Sequence, residues 1–343
     1  MRLLVTGGAG FIGSAFVRRR LRATDDSVVV LDKLTYAGNR DNLAECEREP
    51  SLAARFRFVR GDICDPAAVE PLVAEVDAVV NFAAESHVDR SIIDDAAFLR
   101  TGVMGVHLLL EAVRAAQHPV RFVQVSTDEI YGEVAEGLSV ESDALRPRSP
   151  YAAAKASGEM LAAAYYVTHG TDVVITRGAN TFGPFQHPEK IVPLFITNAL
   201  DDQPLPLYGD GRQERDWLFV DDHADAVAFV LDHGASGEAY NVPGHGRRFN
   251  RDLTAQILEM LNKPWSLVRS VSDRPGHDLR YAMDGAKLAH LGWRPQTALE
   301  DGLAETVDWF QSNSDWWRRA KSGDWASYYD EQYGWRLAES VEA

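Results

Sequence analysis

Short, almost continuously apolar runs alternate with longer amphipathic stretches along the first half of the chain. The apolar runs occupy residues 3–6, 28–31, 56–60, 78–82, 122–126 and 173–176. Runs so short and so uniformly apolar are typical of strands that are buried on both faces. The stretches between them, such as residues 13–23 and 105–117, have helical patterns. This alternation predicts βαβ units and hence a doubly wound parallel sheet of the Rossmann type.

The pattern changes near residue 177, where glycine and proline become frequent and apolar runs fewer. Helices are predicted at residues 251–262 and 284–291. We therefore expect an α/β protein with a Rossmann domain in residues 1–177 and a smaller, mixed α/β C-terminal substrate lobe in residues 178–335. Segments near residues 215–242 are expected to return to the sheet. Because ligands bind beyond the carboxyl ends of strands in such folds, residues that follow each strand are the candidates for function.

Composition narrows the range of partners. The 343 residues carry a formal net charge of −16 and include two cysteines. An acidic surface disfavours non-specific binding to nucleic acid or to anionic membranes. Cys46 and Cys64 lack metal-ligand spacing, and low cysteine use suits a reducing cytoplasm. The N-terminus is unlike a signal peptide, and no apolar run approaches the roughly 20 residues that cross a bilayer. We expect a cytoplasmic protein without metal, nucleic acid or membrane.

A glycine cluster follows the first strand and opens the first predicted helix. Gly8, Gly10 and Gly13 have the spacing that lets backbone approach a pyrophosphate at a helix N-terminus. Asp32 ends the second strand, where a carboxylate accepts ribose hydroxyls and favours NAD over NADP. An ordinary strand–helix turn is the alternative for the glycines alone, and a helix N-cap is the alternative to an adenine contact for Asp62. The predicted cofactor residues are Gly7, Gly10, Phe11, Ile12, Gly13, Asp32, Lys33, Thr35, Gly38, Asp62, Ile63, Ala83, Ala84, Tyr151 and Lys155.

Five polar residues form a candidate catalytic set. Tyr151 and Lys155 are one helical turn apart, so they share a helix face. A phenol has a pKa of about 10 and needs a nearby cation to act as a base. Thr127, Asp128 and Glu129 follow a central strand, and two adjacent carboxyl groups indicate a second proton transfer. For the carboxyl pair alone, capping of the next turn is the alternative.

These motifs stand in order along most of the chain, and the sequence resembles an extended short-chain dehydrogenase/reductase of the dTDP-glucose 4,6-dehydratase family. The resemblance rests on residues 6–14, 32–39, 83–91, 126–132, 149–155, 183–190, 215–217 and 273–278. The glycine and Tyr-x-x-x-Lys motifs mark only the superfamily. The Thr-Asp-Glu triplet at 127–129 and the Arg-Pro-Gly-His-Asp stretch at 274–278 are more specific.

The resemblance implies a lyase with tightly bound NAD that is regenerated in every turnover. Hydride passes from C4 of a nucleoside-diphosphate hexose, most closely dTDP-glucose, to NAD as Tyr151 removes the hydroxyl proton with help from Lys155 and Thr127. Glu129 then takes the C5 proton and Asp128 protonates the departing C6 hydroxyl. The hydride returns to C6, which gives a 4-keto-6-deoxy sugar.

The same resemblance places the sugar nucleotide against the second lobe. The implied substrate residues are Ser86, His87, Asn180, Lys190, Arg215, Asn250, Arg274 and His277. A guanidinium fork matches phosphate geometry, although each cation alone could form a surface ion pair and His87 could be structural. Thr181 and Phe182 stand where the family has an amide and a phenol, which puts the choice between dTDP and UDP in question.

Alternative functions and the assembly are also considered. The rivals are a UDP-sugar 4,6-dehydratase, an NAD-dependent sugar-nucleotide 4-epimerase, and a non-catalytic NAD-binding regulator. An epimerase does not need both Asp128 and Glu129, and a regulator does not need Tyr151 and Lys155. The helices at residues 105–117 and 151–166 are apolar around much of their circumference, and the resemblance implies a homodimer through a four-helix bundle. Packing of both against the sheet is the alternative.

Overall fold

The computed structural model describes residues 1–342. Its strands are β1 Arg2–Thr6, β2 Ser27–Asp32, β3 Phe56–Arg60, β4 Ala78–Asn81, β5 Arg121–Thr127, β6 Val173–Gly178, β7 Asn180–Phe182, β8 Leu205–Tyr208, β9 Glu214–Phe219, β10 Ala239–Val242, β11 Arg247–Phe249, β12 Val268–Val271 and β13 Val341–Glu342.

Helices connect most of these strands. The α-helices are α1 Phe11–Ala23, α2 Ala44–Arg48, α3 Pro50–Ala53, α4 Pro66–Val73, α5 Val88–Ile93, α6 Ala96–Leu99, α7 Val106–Ala115, α8 Pro150–His169, α9 Ile191–Leu200, α10 Val220–His233, α11 Asn250–Met260, α12 Ala286–Leu291, α13 Leu299–Ser312, α14 Ser314–Ala320, α15 Asp324–Tyr329 and α16 Trp335–Ala338. The 3₁₀ turns are Arg40–Leu43, Asp128–Tyr131 and Trp265–Leu267, and the π-helical turns are Arg100–Gly105 and Asp330–Gly334.

The predicted doubly wound sheet is confirmed. Seven parallel strands have the order β10-β6-β5-β4-β1-β2-β3. The order reverses between β1 and β4, and a ligand crevice forms where strands diverge in this way. Alternate residues of β1 enter different cores, since Leu3 and Val5 pack on one face and Leu4 on the other.

The second half of the chain contributes to both lobes. β10 joins the large sheet, and α10 packs against α1, where Arg19 forms ion pairs with Asp221 and Asp225. Two three-stranded sheets, β11-β9-β7 and β13-β12-β8, lie beside a third core that includes Phe182, Trp217 and Phe310. The second half therefore has more strands than its few apolar runs predicted. These strands are only two to six residues long, too short to give a clear apolar pattern.

One expectation about membranes is corrected. A single helical stretch of the described chain, Ala96–Ala115, is long and apolar enough by length and composition to cross a bilayer. It runs without a break through α6, a π-helical turn and α7, so it begins well before the predicted start at residue 105. Core helices of soluble proteins meet the same criterion, and 44% of this stretch is buried.

α8 is held against the sheet by local and buried contacts. Ser149 caps its first turn by accepting a hydrogen bond from the backbone N–H of Ala152, and Pro150 occupies the first helical position. Farther along, the Arg177 guanidinium on β6 donates to the Glu159 carboxylate at 2.9 Å and to the Tyr131 hydroxyl at 2.5 Å. This network joins α8 to β6 and to the turn after β5.

The buried ion pair between Arg177 and Glu159 allows a test of this attachment. Glu159→Gln leaves the guanidinium without its buried counter-charge, so we expect the free energy of unfolding to fall by about 3 kcal/mol. Urea denaturation measures the loss. Glu75→Gln is the control, because its pair with Arg57 is exposed and such pairs contribute at most about 1 kcal/mol. Equal effects of the two substitutions would contradict this interpretation.

Candidate active site

The glycine cluster forms a tight corner between β1 and α1. Gly7 has a φ of +69°, and a Cβ at Gly13 would lie 2.4 Å from the Gly7 carbonyl oxygen. A Cβ on Gly7 would approach the backbone nitrogen of Ala83 to 2.6 Å. Among the described residues no side chain caps the N-terminus of α1 at Gly10. The corner can therefore receive only a ligand that accepts hydrogen bonds from backbone, as a pyrophosphate does.

Asp32 at the end of β2 is fixed before any ligand binds. Its two carboxylate oxygens accept the backbone N–H groups of Ala9 at 2.9 Å and Leu34 at 2.8 Å. Burial raises the pKa of this carboxyl despite these hydrogen bonds. Since each oxygen has a further lone pair, the carboxylate can still accept hydroxyl groups of a ribose.

Asp62 does not cap the next helix. Asp65 does so, by accepting the Ala67 N–H at 3.0 Å, whereas Asp62 pairs with Lys33 at 2.9 Å and accepts the Cys64 N–H. The N-cap alternative for Asp62 is therefore wrong. All fifteen predicted cofactor residues line one elongated cavity, from the glycine corner to the catalytic set.

The candidate catalytic side chains converge at the inner end of this cavity. Thr127 ends β5, and its hydroxyl oxygen accepts the Glu129 N–H at 3.3 Å and donates to Asp128 at 3.1 Å. Thr127, rather than the carboxyl pair, thus caps the 3₁₀ turn. Tyr151 lies in the first turn of α8, and Lys155, one turn later, donates from Nζ to the Val125 carbonyl at 2.6 Å. All five line the cavity.

Burial changes the protonation of this set. Asp128 is 3% exposed, and burial together with the Glu129 charge raises its pKa to about 8. The pKa of Lys155 falls to about 8 because burial disfavours the ammonium, although Glu159 opposes the shift. The pKa of Tyr151 is raised by burial and by both neighbouring carboxylates. At neutral pH the site therefore holds a protonated acid, a cation and a phenol.

A second cavity opens beyond the catalytic set, toward the C-terminal lobe. It is lined by seven of the eight implied substrate residues, which are His87, Asn180, Lys190, Arg215, Asn250, Arg274 and His277. Ser86 lines the first cavity instead. Glu129, Asn180 and Lys190 line both cavities, so they mark the junction between them.

The cations of the second cavity are oriented by neighbouring groups. Arg215 donates to the carbonyls of Asp278 at 2.7 Å and Leu279 at 3.2 Å, and it also contacts the His277 ring at 2.9 Å. His277 is in turn held by Asp273 at 2.7 Å. Arg274 pairs with buried Asp89 at 2.7 Å, and the guanidinium keeps the pKa of that carboxyl well below its usual range.

His87 is engaged by protein groups on both ring nitrogens. Nε2 lies 3.0 Å from the Glu189 carbonyl oxygen, and Nδ1 lies 3.2 Å from the Tyr328 hydroxyl. The ring is 4% exposed. These contacts favour the structural alternative for His87 over a direct contact with substrate.

Thr181 and Phe182, the two departures from the family pattern, do not line the second cavity. Phe182 is buried in the third core against Trp217 and Phe219 and lines neither cavity. The Thr181 hydroxyl donates to the Ala179 carbonyl at 3.0 Å and contacts the ring of His223 at 2.8 Å. The side chain at position 182 therefore faces the core rather than either cavity.

Sequence reasoning did not assign several residues that line the two cavities. They are Glu85, Gln186, His187, Glu189, Trp217, His223, Tyr281 and Tyr333. Glu189 stands in a quoted motif and could have been found there. Tyr281 and Tyr333 are brought in by loops and C-terminal turns whose positions carry no local signal. Among the described residues no cluster of His, Cys, Asp or Glu could hold a metal ion.

The geometry agrees with comparisons to known proteins. The family model for GDP-mannose 4,6 dehydratase matches residues 4–306. The dTDP-glucose 4,6-dehydratase of Streptomyces niveus is 51% identical over 95% of this chain and 98% of its own. A double mutant of the dTDP-glucose 4,6-dehydratase from Streptomyces venezuelae, crystallised with NAD, has a TM-score of 0.91, 51% identity and coverage of 94% and 100%.

A solved epimerase shares the fold. The UDP-glucose 4-epimerase of Thermus thermophilus, solved with NAD, has a TM-score of 0.83 at 34% identity and covers 91% of this chain and 100% of its own. The family resemblance drawn from the motifs is nonetheless confirmed by full-length relatives. The chain belongs to the family of nucleotide-sugar 4,6-dehydratases.

Proposed function

We propose that this protein is a hydro-lyase that converts dTDP-glucose to dTDP-4-keto-6-deoxyglucose with NAD as a regenerated cofactor. The observation that carries the proposal is the convergence of Tyr151 and Lys155 with two adjacent carboxyl groups, Asp128 and Glu129, in one cavity that meets a second at Glu129. The dTDP-glucose 4,6-dehydratases among its relatives support dTDP as the nucleotide.

The cofactor cavity fits NAD. The side-chain-free corner at Gly7 and Gly13 suits its pyrophosphate, and the fixed carboxylate of Asp32 suits an unphosphorylated ribose. Ala83 and Ala84 would lie beside the dinucleotide at the crevice. When bound, NAD supplies the acceptor for the hydride of C4, the donor of that hydride to C6, and a positive charge near the phenol.

Tyr151 and its neighbours serve the oxidation of C4. In the ligand-free protein its phenol is protonated, so it becomes a base only in the loaded site, where added positive charge stabilises the phenolate. Lys155 is anchored on Val125 and adds a second positive charge one turn away. Thr127 presents its hydroxyl beside this pair. Tyr151 then accepts the C4 hydroxyl proton.

Asp128 and Glu129 serve the elimination of water. A ketone at C4 makes the C5 proton acidic, and Glu129 at the cavity junction accepts it. Asp128 still holds its proton at neutral pH and gives it to the C6 hydroxyl, which leaves as water. Glu129 returns its proton to C5 when C6 is reduced. A 4-epimerase eliminates no hydroxyl and needs neither of these proton transfers, so this pair favours a dehydratase.

The second cavity holds the nucleoside diphosphate. Lys190, Arg215 and Arg274 supply positive charge for the diphosphate, and Asn250 presents a buried amide oxygen without a protein partner among the described residues. Asn180 and Ser86 face the junction, where the hexose would sit. His277 positions Arg215 rather than the sugar.

We further propose the domain division and location that the sequence indicates. Residues 1–177, with α10 and β10 of the returning segment, form the NAD-binding domain, and the rest of residues 178–335, including β9, forms the substrate lobe. Both cysteines, Cys46 and Cys64, are free thiols, as in proteins of a reducing cytoplasm.

The proposed assembly is a homodimer through a four-helix bundle. α8 and the stretch Ala96–Ala115 pack together closely, because a Cβ at Gly158 would lie 2.5 Å from the Gly102 carbonyl. Large apolar side chains nevertheless remain exposed on this pair, including Met104 at 53% and Met160 at 57%. A second copy of the same pair would cover them.

The function is tested by incubating the purified protein with dTDP-glucose, UDP-glucose and their N-acetyl counterparts. We expect loss of one water from dTDP-glucose by mass spectrometry, with slower or no reaction of the others. Glu129→Gln should slow water loss by about 100-fold or more, while bound NAD is still reduced, because only C5 deprotonation is removed. Reduction is followed by absorbance.

Glu136→Gln is the matched control, since this carboxylate is exposed on the loop after the catalytic turn. It should react like the original protein. If none of the nucleotide sugars loses water, the dehydratase assignment fails, and a C4 epimer as product would establish the epimerase instead. Full activity of Glu129→Gln would refute the role of that residue.

The pH dependence follows from Asp128. Its carboxyl is protonated below its pKa of about 8, so water loss should be fast there and fall as the pH rises through about 8. Lys155 loses its charge in the same range, which slows reduction of NAD. In Asp128→Asn the alkaline fall of NAD reduction should persist, while water loss is slow at every pH. A rate of water loss that keeps rising above pH 8 would contradict this assignment.

The dimer is tested by placing charge on the exposed apolar face. Met104→Glu combined with Met160→Glu should convert a dimer to monomers, because burying unpaired carboxylates costs several kcal/mol. Light scattering after gel filtration measures the mass. Met260→Glu, at an exposed methionine of α11, is the control and should stay dimeric. A monomeric original protein would overturn the proposal.

A further inference from the structure

Arg90 joins three segments that are far apart in the chain. It lies on α5 with its side chain 19% exposed, and its Nε donates to the Glu189 carboxylate at 2.8 Å. Its guanidinium also lies between two aromatic rings, 4.1 Å from the ring centre of Tyr36 and 3.9 Å from that of Tyr328. A cation stacked between two rings and paired with a carboxylate is held more firmly than by either contact alone.

Tyr36 belongs to the cofactor side of the cleft. It stands between Thr35 and Ala37, which both line the cofactor cavity. Its hydroxyl accepts the backbone N–H of Ser86 at 3.2 Å. Tyr36 itself does not line this cavity, so its ring lies behind the wall that its two neighbours form.

Glu189 lies at the junction of the two cavities. It is 3% exposed and precedes Lys190, whose Nζ donates to the Ser86 carbonyl at 2.8 Å. Both residues line the two cavities at their junction. Arg90 thus connects one rim, formed by the Tyr36 segment of the cofactor cavity, to a second rim, formed by Glu189 at the junction of the two cavities.

Tyr328 adds a third attachment, from α15 in the C-terminal segment. Its hydroxyl contacts His87 at 3.2 Å, and its ring covers the outer face of the Arg90 guanidinium. Opening the cleft at this point would separate the guanidinium from two rings and leave the buried Glu189 carboxylate without its counter-charge. Both changes are costly, so these contacts resist opening.

We propose that Arg90 is a positioning residue that clasps the two rims together and keeps NAD in the protein between the two hydride transfers of one turnover. This inference rests on the proposed function, because only a cofactor that is used twice in one turnover must be retained. Arg90 lines neither cavity, so it acts through Tyr36 and Glu189 rather than on the cofactor itself.

The test is the rate at which NAD leaves the purified holoenzyme. Protein is diluted, passed through a desalting column at intervals, and the NAD that remains bound is quantified after denaturation. Arg90→Gln should release NAD at least about tenfold faster, since it loses the charge and its stacking on both Tyr36 and Tyr328. Arg90→Lys retains the charge but not the planar fork, so its rate of NAD release should lie between those of the original protein and Arg90→Gln.

A matched control separates this role from a general loss of stability. Arg121 is 21% exposed and pairs with Asp172 at 3.1 Å, at the opposite end of β5. Arg121→Gln should release NAD at the original rate. Activity of Arg90→Gln should also recover to within about threefold of the original when excess NAD is added, because the catalytic residues are untouched.

Each outcome decides the proposal. Unchanged NAD release from Arg90→Gln overturns it, as does equally faster release from Arg121→Gln. If Arg90→Gln does not fold, Arg90→Lys and Tyr328→Leu are measured, and unchanged release from both overturns it. NAD release can be measured without a sugar nucleotide. If Arg90→Gln releases NAD faster but the original protein does not dehydrate dTDP-glucose, the proposed function is wrong and the proposed role of Arg90 still holds.

Discussion

The hydrogen bond from the Lys155 ammonium to the Val125 carbonyl sets the geometry of the catalytic cavity. A buried charge is tolerated only with close partners, and this one lies between a strand carbonyl and the negative field of Glu159 one turn away. The bond fixes the start of α8 relative to the end of β5. Because Tyr151 and Thr127 occupy these two ends, their separation is determined by the same contact.

Burial of the catalytic site shifts the pKa values of its acid and its base in opposite directions. It favours the neutral form of both Asp128 and Lys155, which moves the pKa of the acid up and that of the base down until both are about 8. One fold thereby keeps a proton on a carboxyl for delivery at neutral pH and leaves a lysine charged. Glu129 is partly exposed whereas Asp128 is buried, so the two adjacent carboxyl groups have different surroundings.

The sequence predicts what is encoded locally and misses what depends on distant packing. The six strand runs and the glycine corner follow from residues adjacent in the chain, and all five candidate catalytic residues meet at one cavity end. By contrast, Tyr328 reaches His87 across most of the chain length, and no local pattern marks such a contact. The burial of Phe182 also has no local signal. Which face of the three-residue strand β7 is buried depends on its packing against α13 and β9.

The net negative charge of the chain does not oppose the binding of phosphates, because the second cavity is lined by cations although the chain as a whole is acidic. Lys190 and Arg215 are held by backbone carbonyls, and among the described residues neither forms an ion pair with a carboxylate. Burial lowers the pKa of both. Burying cations without a directly paired carboxylate costs folding free energy, and a bound diphosphate would supply that partner. Lys190 and Arg215 therefore favour an anionic ligand in the cavity. The net charge of −16 belongs to the chain as a whole and describes its exterior.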